Sequence, residues 1–350
     1  MTTQTEPDPL TFTERGFPWP GYPTGWFQVG WSAELAPGDI RPVHYFGREL
    51  VLYRGEDGTL AMLDAFCPHM GAHLGYGGTV EGSCLRCPYH GWVWSADGGN
   101  VEIPYGDRGT INARAHAWRL TERAGVVYAW YHRDDEPPSW QPPAFEEESG
   151  AGFYDPYGWA THTEPLRMHP QFASENFPDL AHMHYVHRWR GIPEPTEWKV
   201  DGPYLRVDYP GTIGTPRGDV VLETVNEAYG VGLNINRVVG ELRSTTLGAF
   251  TPIDDRTSRG FITMWLPRTD GADQPGGLHR AMAASNIQEL FGPTSDRRIW
   301  EHMHYRRHPL HVGYETTLTR DYRQWTRQFY PDAAETGTAP SPFRKEGGGG

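Results

Sequence analysis

The sequence predicts an α+β protein in which an all-β domain precedes a domain of mixed strands and helices. Short alternating or apolar runs, separated by glycine-rich turns, fill residues 25–132. An acidic, proline-rich stretch follows, and beyond it helical and strand patterns are mixed. A chain of 350 residues is long enough to give each domain its own core.

Individual elements follow from these patterns. Residues 49–53 and 59–63 are apolar runs joined by the turn sequence RGEDG, which predicts a β-hairpin. We also predict strands at 126–130, 243–250 and 261–267, and helices at 296–307 and 314–330.

The composition also suggests where the domains begin and end. The four prolines at 137–138 and 142–143 predict an extended connector at 134–150 rather than a packed element. The glycine-rich tail, 332–350, is predicted to be disordered. The remaining divisions are an N-terminal extension at 1–24, a first domain at 25–133 and a second domain at 151–331.

Charge and cysteine content exclude several classes of function. A net charge of −13 argues against nucleic-acid and anionic-membrane partners, because both need basic surface. The polar N-terminus predicts no secretory signal, and no apolar run approaches the roughly 18 residues of a membrane-spanning helix. Cys67, Cys84 and Cys87 lie in one short segment, which suits a reducing cytoplasm and favours metal binding over disulfides.

Two motifs in the first domain each offer one cysteine and one histidine. Cys67 and His69 have the spacing C-x-H, and Cys87 and His90 have the spacing C-x-x-H. This is the ligand pattern of a Rieske [2Fe–2S] cluster, in which two thiolates hold one iron and two imidazoles hold the other.

The alternative for these four ligands is a structural zinc site. Zinc motifs usually pair cysteine with cysteine and histidine with histidine, whereas each loop here supplies one of each. Gly71 and Gly91 fit a cluster, because they let backbone N–H groups approach its sulfides. Cys84 has no spare cysteine in the first loop to pair with, because Cys67 is a candidate cluster ligand, and it is predicted to be a small buried residue. His73 is predicted to be a solvated or packing residue.

A second group of carboxylates and imidazoles lies at residues 175–187, ENFPDLAHMHYVH. Two histidines and one carboxylate on one face of Fe(II) leave open positions for O₂. On a regular helix His182 and His187 lie roughly 140° apart, so they converge only where the helix bends or ends. His184 and His187, at i and i+3, suit an unbroken helix, and spacing alone leaves both pairs open.

The two motifs together resemble the α-subunits of Rieske ring-hydroxylating oxygenases, over residues 26–330. Asn176, Asp179, His182 and His187 match that family's N-x-x-D-x-x-H-x₄-H. The resemblance implies that His182 and His187 bind iron and that Asn176 and Asp179 are catalytic. It gives Asp179 a bridging role between a ligand histidine and the cluster histidine of the neighbouring subunit.

The third iron ligand in this family is a carboxylate further along the chain. We expect Asp296, because it opens the segment DRRIW, similar to the D-x-x-I-W of one branch of the family. Asp296 could instead stabilise a helix N-terminus. The other candidate carboxylates are Asp254, Asp255, Asp270, Asp273, Glu289 and Glu301.

Within that branch, the chain resembles the oxygenase component of 3-ketosteroid 9α-hydroxylase. Similar segments are IPY at 103–105, FTPID at 250–254, HPL at 308–310 and RQWTRQFY at 323–330. Cys84, Gly91 and Pro178 depart from the pattern of the branch.

The resemblance implies a Rieske β-domain followed by an antiparallel sheet with helices over an apolar pocket, in a helix-grip or START-like arrangement. It also implies one [2Fe–2S] cluster, one mononuclear Fe(II) and a head-to-tail homotrimer. No G-x-G-x-x-G motif opens a helix after a strand, so we expect electrons from a separate flavin-dependent NAD(P)H reductase, with or without a ferredoxin. The predicted reaction is monohydroxylation by O₂ of a bulky apolar, steroid-like substrate.

Other functions share parts of this pattern. Aromatic cis-dihydroxylation and oxidative N- or O-demethylation would use the same ligands. A Rieske electron-transfer protein would use the cluster alone, and the long second domain with its own histidine cluster argues against it. A zinc-stabilised binding protein would lack the colour of an iron–sulfur cluster.

Overall fold

The computed structural model describes residues 9–105, 109–145, 152–215, 218–240, 243–268, 275–292 and 295–331. In the N-terminal domain its strands form three antiparallel sheets, with the orders β1-β10-β9, β2-β3-β4 and β5-β6-β7-β8. The strands are β1 (Gly25–Trp31), β2 (Ile40–Tyr45), β3 (Arg48–Arg54), β4 (Leu60–Asp64), β5 (Thr79–Glu81), β6 (Cys84–Arg86), β7 (Val93–Trp94), β8 (Asn100–Glu102), β9 (Leu120–Arg123) and β10 (Val126–Tyr131).

The predicted hairpin and the predicted strand at 126–130 are confirmed as β3–β4 and β10. The hairpin turn needs Gly58, whose φ of 88° lies in the left-handed region that favours glycine.

The second domain is built on one seven-stranded antiparallel sheet with the order β11-β17-β16-β15-β14-β13-β12. Its strands are β11 (Thr161–His162), β12 (Glu197–Asp201), β13 (Tyr204–Thr215), β14 (Gly218–Tyr229), β15 (Leu233–Val239), β16 (Ser244–Pro252) and β17 (Ser258–Trp265). The helices are α1 (Pro170–Ser174), α2 (Ala181–Tyr185), α3 (Gly277–Phe291), α4 (Asp296–Trp300) and α5 (Glu315–Thr326). Short 3₁₀ turns lie at Ser32–Glu34, Pro156–Trp159 and Arg327–Phe329.

This arrangement confirms the predicted fold class and the strands at 243–250 and 261–267, which are β16 and β17. The helix predicted at 314–330 is α5 followed by a 3₁₀ turn. The helix predicted at 296–307 is wrong in its length, because α4 ends at Trp300. There the side chain of Arg15 donates to the carbonyl oxygens of Trp300 and Met303, at 2.7 and 2.9 Å, and the chain turns away.

Helix α3 was not predicted from the sequence. It begins with two glycines, and its apolar residues do not gather on one helical face, so the pattern that identifies an amphipathic helix is missing. None of the helices in the described part of the chain is long and apolar enough to span a membrane.

The connector has no regular secondary structure between residues 134 and 145, yet part of it is packed. The ring of Phe145 is buried and stacks on Trp265, with centroids 4.6 Å apart. Trp140 lies edge-on to Trp130 at 5.6 Å. The prolines of the connector gave no indication of this packing. The tail at 332–350, predicted to be disordered, lies outside the described residues.

The two domains share one hydrophobic core. Trp31, at the end of β1, is 2% exposed and donates from Nε1 to Thr263 Oγ1 on β17 at 2.8 Å. Thr251 on β16 donates to the carbonyl oxygen of Gln28 at 2.5 Å. The first domain is therefore joined directly to the sheet of the second domain.

Replacing Trp31 with alanine should lower the free energy of unfolding by about 3–5 kcal/mol, because it opens a cavity in this shared core. Urea unfolding followed by circular dichroism measures the change. Val221→Ala is the matched control, since Val221 is 71% exposed and its loss should change stability little. Equal effects of the two substitutions would contradict the shared core.

Candidate metal centres

The two cysteine–histidine loops of the first domain have the same backbone fold. Cys67 N–H donates to the carbonyl of Ala72, and Cys87 N–H donates to that of Trp92, both at 2.8 Å. In each loop a glycine four residues after the cysteine donates back to the cysteine carbonyl, at 2.9 and 3.1 Å. These glycines, at positions 71 and 91, have φ of 76° and 74°, a region that favours glycine.

The loops bring the four predicted cluster ligands together. The thiols of Cys67 and Cys87 are buried and not in a disulfide. Burial raises the pKa of the Cys67 thiol, and the neighbouring Cys87 thiol raises it further. The rings of His69 and His90 lie 4.7 Å apart. His90 Nδ1 is buried and has no hydrogen-bond partner among the described residues, as expected of an atom that faces a metal.

Aromatic side chains orient the first of these imidazoles. His69 stacks on Trp92 with centroids 4.3 Å apart and planes 6° apart. Trp92 Nε1 in turn donates to the hydroxyl of Tyr105 at 2.8 Å. The ring plane of His69 is therefore fixed by packing before any metal is bound.

The two other candidate ligands in this segment have different surroundings. Cys84 lies on β6 and is only partly buried, so the prediction of a buried residue is wrong. His73 accepts a hydrogen bond from Gly75 N–H at Nδ1, at 3.0 Å, and packs on Tyr76. It is a packing residue, as predicted.

In the second domain, His182, His187 and Asp296 form a compact group in which the possible ligand atoms all lie within 4.8 Å of one another. His187 Nε2 lies 3.1 Å from Asp296 Oδ2. Two ligands about 2.1 Å from one metal and at right angles are about 3 Å apart, so this separation suits a shared ion.

The early end of α2 explains why His182 and His187 converge. The hydrogen bond from Val186 N–H to the His182 carbonyl, at 2.7 Å, is the last of the helix, and Arg188 has a φ of 60°. His187 therefore lies beyond the helix. His184 donates from Nδ1 to the carbonyl of Trp189 at 2.7 Å, which turns it away from the group. Of the two histidine pairs that spacing left open, only His182 and His187 belong to the compact group found in the described residues.

Asp179 positions His182 through its backbone. Its carbonyl accepts a hydrogen bond from His182 Nδ1, which leaves Nε2 free of a proton and able to bind a metal. The carboxylate of Asp179 is 48% exposed, and its Oδ2 lies 4.0 Å from the same Nδ1. Burial lowers the pKa of His182, so the ring is neutral, as a ligand must be.

His187 lies between two carboxylates. Burial lowers its pKa, but the adjacent carboxylate of Asp296 outweighs burial and raises the pKa of His187. On the other side of the ring, Nδ1 lies 3.9 Å from Glu289 Oε2, and burial raises the pKa of Glu289. Glu289 is therefore placed to orient His187 rather than to complete the group of three.

Asp296 is 2% exposed, and its Oδ2 accepts no well-aligned hydrogen bond from the described residues. A buried carboxylate without such partners is costly unless a cation is present. The three side chains therefore fit a divalent metal with a two-histidine, one-carboxylate ligand set.

The other carboxylates considered from the sequence have separate roles or lie elsewhere. Asp254 accepts hydrogen bonds from two backbone N–H groups in the β16–β17 turn. Asp255 pairs with Arg256, and Glu301 pairs with Arg297. Residues 270 and 273 lie outside the described part of the chain.

A cavity of about 260 Å³ opens on this group and lies on the face of strands β13 to β16. Much of its lining is apolar and includes Phe177, Met183, Leu222, Ile235, Phe250 and Leu290. The sequence analysis did not single out its lining, because positions from several strands and helices converge only in the fold.

One part of the cavity wall is polar. Asn226 on β14 is the cross-strand neighbour of Asn236 on β15. Asn236 Nδ2 donates to Asn226 Oδ1 at 2.7 Å, and Asn226 Nδ2 donates to the hydroxyl of Tyr209 at 2.6 Å. Nearby, Thr224 Oγ1 and Asn234 Oδ1 are buried without a hydrogen-bond partner in the described residues. This wall could bind an oxygen atom of a ligand.

Each of the two domains matches a family model. A model of the Rieske [2Fe-2S] domain matches residues 25–127, and a model of the 3-ketosteroid 9alpha-hydroxylase C-terminal domain matches residues 129–330. The chain is a Rieske oxygenase of the 3-ketosteroid 9α-hydroxylase family. It is therefore an enzyme that carries a [2Fe–2S] cluster and a mononuclear non-haem iron. The zinc-protein and electron-carrier alternatives are excluded.

Individual relatives support this assignment. The cholesterol 7-desaturase of Hemicentrotus pulcherrimus is 29% identical over 345 residues, covering 89% of this chain and 71% of that protein. The probable 3-ketosteroid-9-alpha-monooxygenase oxygenase component of Rhodococcus rhodochrous is 29% identical over 362 residues, covering 95% and 86%. The crystal structure of dicamba monooxygenase bound to dicamba has a TM-score of 0.68, with 19% identity and coverage of 89% and 98%, and shows the shared fold.

Replacing Asp296 with alanine should remove the mononuclear iron and leave the cluster, because the group of His182, His187 and Asp296 then has no carboxylate ligand. Iron content should fall from about three to about two per chain, with the visible spectrum of the cluster unchanged. Asp255→Ala is the control, since Asp255 is an exposed carboxylate of the β16–β17 turn. An Asp296→Ala protein with the full iron content would show that another residue is the ligand.

Proposed function

We propose that this enzyme hydroxylates a bulky, mostly apolar, steroid-like substrate with O₂. The observation that carries the proposal is the largely apolar cavity that opens directly on His182, His187 and Asp296. A substrate in that cavity would present a C–H bond to the metal and would exclude water from it. The names of the two relatives, a cholesterol desaturase and a 3-ketosteroid monooxygenase, point to the same class of substrate.

The size and chemistry of the cavity narrow that class. Its volume of about 260 Å³ lies just below the usual range of ligand cavities, about 300 to 1,000 Å³, and favours a compact ring system. The polar wall formed by Tyr209, Asn226 and Asn236 favours a substrate that carries a carbonyl or hydroxyl oxygen. The polar wall fits a ketosteroid better than a hydrocarbon.

The metal ligands divide the chemistry between the two domains. The cluster held by Cys67, His69, Cys87 and His90 supplies single electrons, and iron held by His182, His187 and Asp296 supplies O₂ activation when bound. The protein's part is to hold these side chains in place. Asn176 contributes by accepting a hydrogen bond from Trp300 Nε1 at 3.4 Å, which ties the iron motif to α4.

We further propose that Asp179 connects the two metals across a subunit boundary in a head-to-tail homotrimer. Its half-exposed carboxylate, close to His182, is available to a histidine of another chain. Around the cluster loops the chain exposes several large apolar side chains, as expected of a surface that another subunit covers. These are Phe66, Met70, Tyr76, Tyr89 and Tyr105.

The electrons would come from a separate flavin-dependent NAD(P)H reductase, with or without a ferredoxin. The relative from Rhodococcus is itself named an oxygenase component, which fits a multi-protein system. The partly exposed free thiol of Cys84 supports our expectation of a reducing, cytoplasmic location.

Product analysis tests the reaction. With a surrogate reductase, NADH and O₂, a panel of 3-ketosteroids should give a product that has gained one oxygen atom, identified by mass spectrometry. A product that has lost two hydrogen atoms would instead show desaturation, the activity in the name of the Hemicentrotus relative. Turnover only of small aromatic or methylated compounds, on a wider panel, would contradict the steroid-like substrate.

Replacing Asp179 with alanine should reduce product formation by about 100-fold while both metal sites stay filled, because the route between cluster and iron is interrupted. After reduction, the cluster of the variant should stay reduced in the presence of substrate and O₂. Asp219→Ala is the control, since Asp219 is a similarly exposed carboxylate on β14 that pairs with Arg190. Normal turnover in Asp179→Ala would refute the bridging role.

A further inference from the structure

The N-terminal extension lies outside the residues that match either family model, yet it is packed against the catalytic domain. Phe12, Phe17 and Trp19 are buried in the core of that domain. Phe17 stacks on His169 just before α1, with centroids 3.8 Å apart, and Trp19 stacks on Tyr330 at 4.5 Å. The extension is thus a structural part of the catalytic domain.

Arg15 is the charged residue at the centre of this extension, and it is 5% exposed. Within the described residues, the hydrogen bonds of its guanidinium go to backbone carbonyls. Nη2 donates to Trp300 at 2.7 Å, Nε donates to Met303 at 2.9 Å, and Nη1 donates to Arg167. The same group lies 5.1 Å from the ring centre of Phe172 on α1.

Helix α4 depends on such contacts because it has only five residues, Asp296–Trp300. A helix this short is not stable alone, and the carbonyls of its last turn have no partners within the helix. Arg15 supplies a donor to the carbonyl of Trp300 and places a positive charge at the negative end of the helix.

A second set of contacts fixes the same end of α4. Arg167 N–H donates to Glu301 Oε1 at 3.3 Å, and its carbonyl accepts from Arg15. The backbone N–H of Tyr305 donates to the carbonyl of Arg15 at 2.9 Å. A side chain at position 16 would approach the Tyr305 carbonyl to 2.8 Å, so the chain here requires Gly16. The extension therefore contacts both ends of the turn that follows α4, at Trp300 and at Tyr305.

We propose that Arg15 is a positioning residue for the mononuclear iron, acting through α4 on the carboxylate of Asp296. Asp296 is the first residue of α4, and Arg15 contacts the last one, Trp300, about 6 Å away along the helix. Metal ligands must be held within about 0.5 Å of their productive positions, so a shift of this helix weakens binding. The inference rests on the ligand set of His182, His187 and Asp296.

The test measures Fe(II) binding rather than turnover. Protein that carries its cluster but has been stripped of mononuclear iron is titrated anaerobically with Fe(II) against a chelator of known affinity. In Arg15→Met the dissociation constant of Fe(II) should rise about 10- to 100-fold, as for other residues that support metal ligands indirectly. Cluster absorbance and the thermal midpoint are recorded on the same samples.

Two further variants separate positioning from general stability. Arg256→Met removes the arginine that donates to the carbonyl of Pro9 at 2.7 Å, another contact of the extension that does not involve α4. It should leave Fe(II) affinity unchanged. Arg15→Lys keeps the buried charge but cannot reach three carbonyls at once, so its affinity for Fe(II) should lie between those of wild type and Arg15→Met. It also provides the test if Arg15→Met does not fold.

The outcomes are distinct. Fe(II) affinities of Arg15→Met and Arg15→Lys within twofold of wild type, whatever their thermal midpoints, would overturn the positioning role and leave the proposed function intact. An equal loss of affinity in Arg256→Met would also overturn it, because any loosening of the extension would then suffice. A wild-type chain that binds no Fe(II) beside its cluster would refute the ligand set itself.

Discussion

The catalytic domain depends on one unfavourable arrangement, a buried carboxylate beside two partly buried imidazoles. Asp296 is 2% exposed, and its Oδ2 lies 3.1 Å from His187 Nε2 without a well-aligned hydrogen bond from the described residues. Removing such a charge from water costs several kcal/mol unless a cation or a close network compensates. The residues around it therefore have to hold the three side chains together before a metal binds.

That support comes from distant parts of the chain. The backbone of Asp179 fixes the tautomer of His182, and Glu289 lies on the far side of the His187 ring. Asn176 and Arg15 both contact Trp300, at the far end of the helix that carries Asp296. In this account the affinity of the site for metal depends on contacts from the whole catalytic domain. These include contacts from the N-terminal extension, which precedes the cluster domain in sequence.

Much of the site could be predicted from the sequence because its motifs are local. The cysteine–histidine spacings lie within two short loops, and His182 and His187 lie within six residues, so each motif is recognisable before folding. Spacing alone did not choose between His182 and His184, because the end of α2 at Tyr185 has no proline or glycine to signal it. The choice followed from the family resemblance.

The features that sequence could not predict are those made by long-range packing. Helix α4 ends where Arg15 donates to the carbonyl of Trp300, and Arg15 lies 281 residues before Asp296 without a recognisable capping motif. The polar wall of Tyr209, Asn226 and Asn236 exists only because three strands align in register. Helix α3 lacks an apolar face, so its position over the sheet cannot be recognised from periodicity.

The most direct test of this account is a crystal of the purified enzyme measured on both sides of the iron absorption edge. The account predicts anomalous scattering at two places in each chain. One is the pair of irons between Cys67, His69, Cys87 and His90, and the other a single iron bound by His182, His187 and Asp296. Iron coordinated by Glu289 or His184 in place of these ligands, or a second site that scatters as zinc, would contradict it.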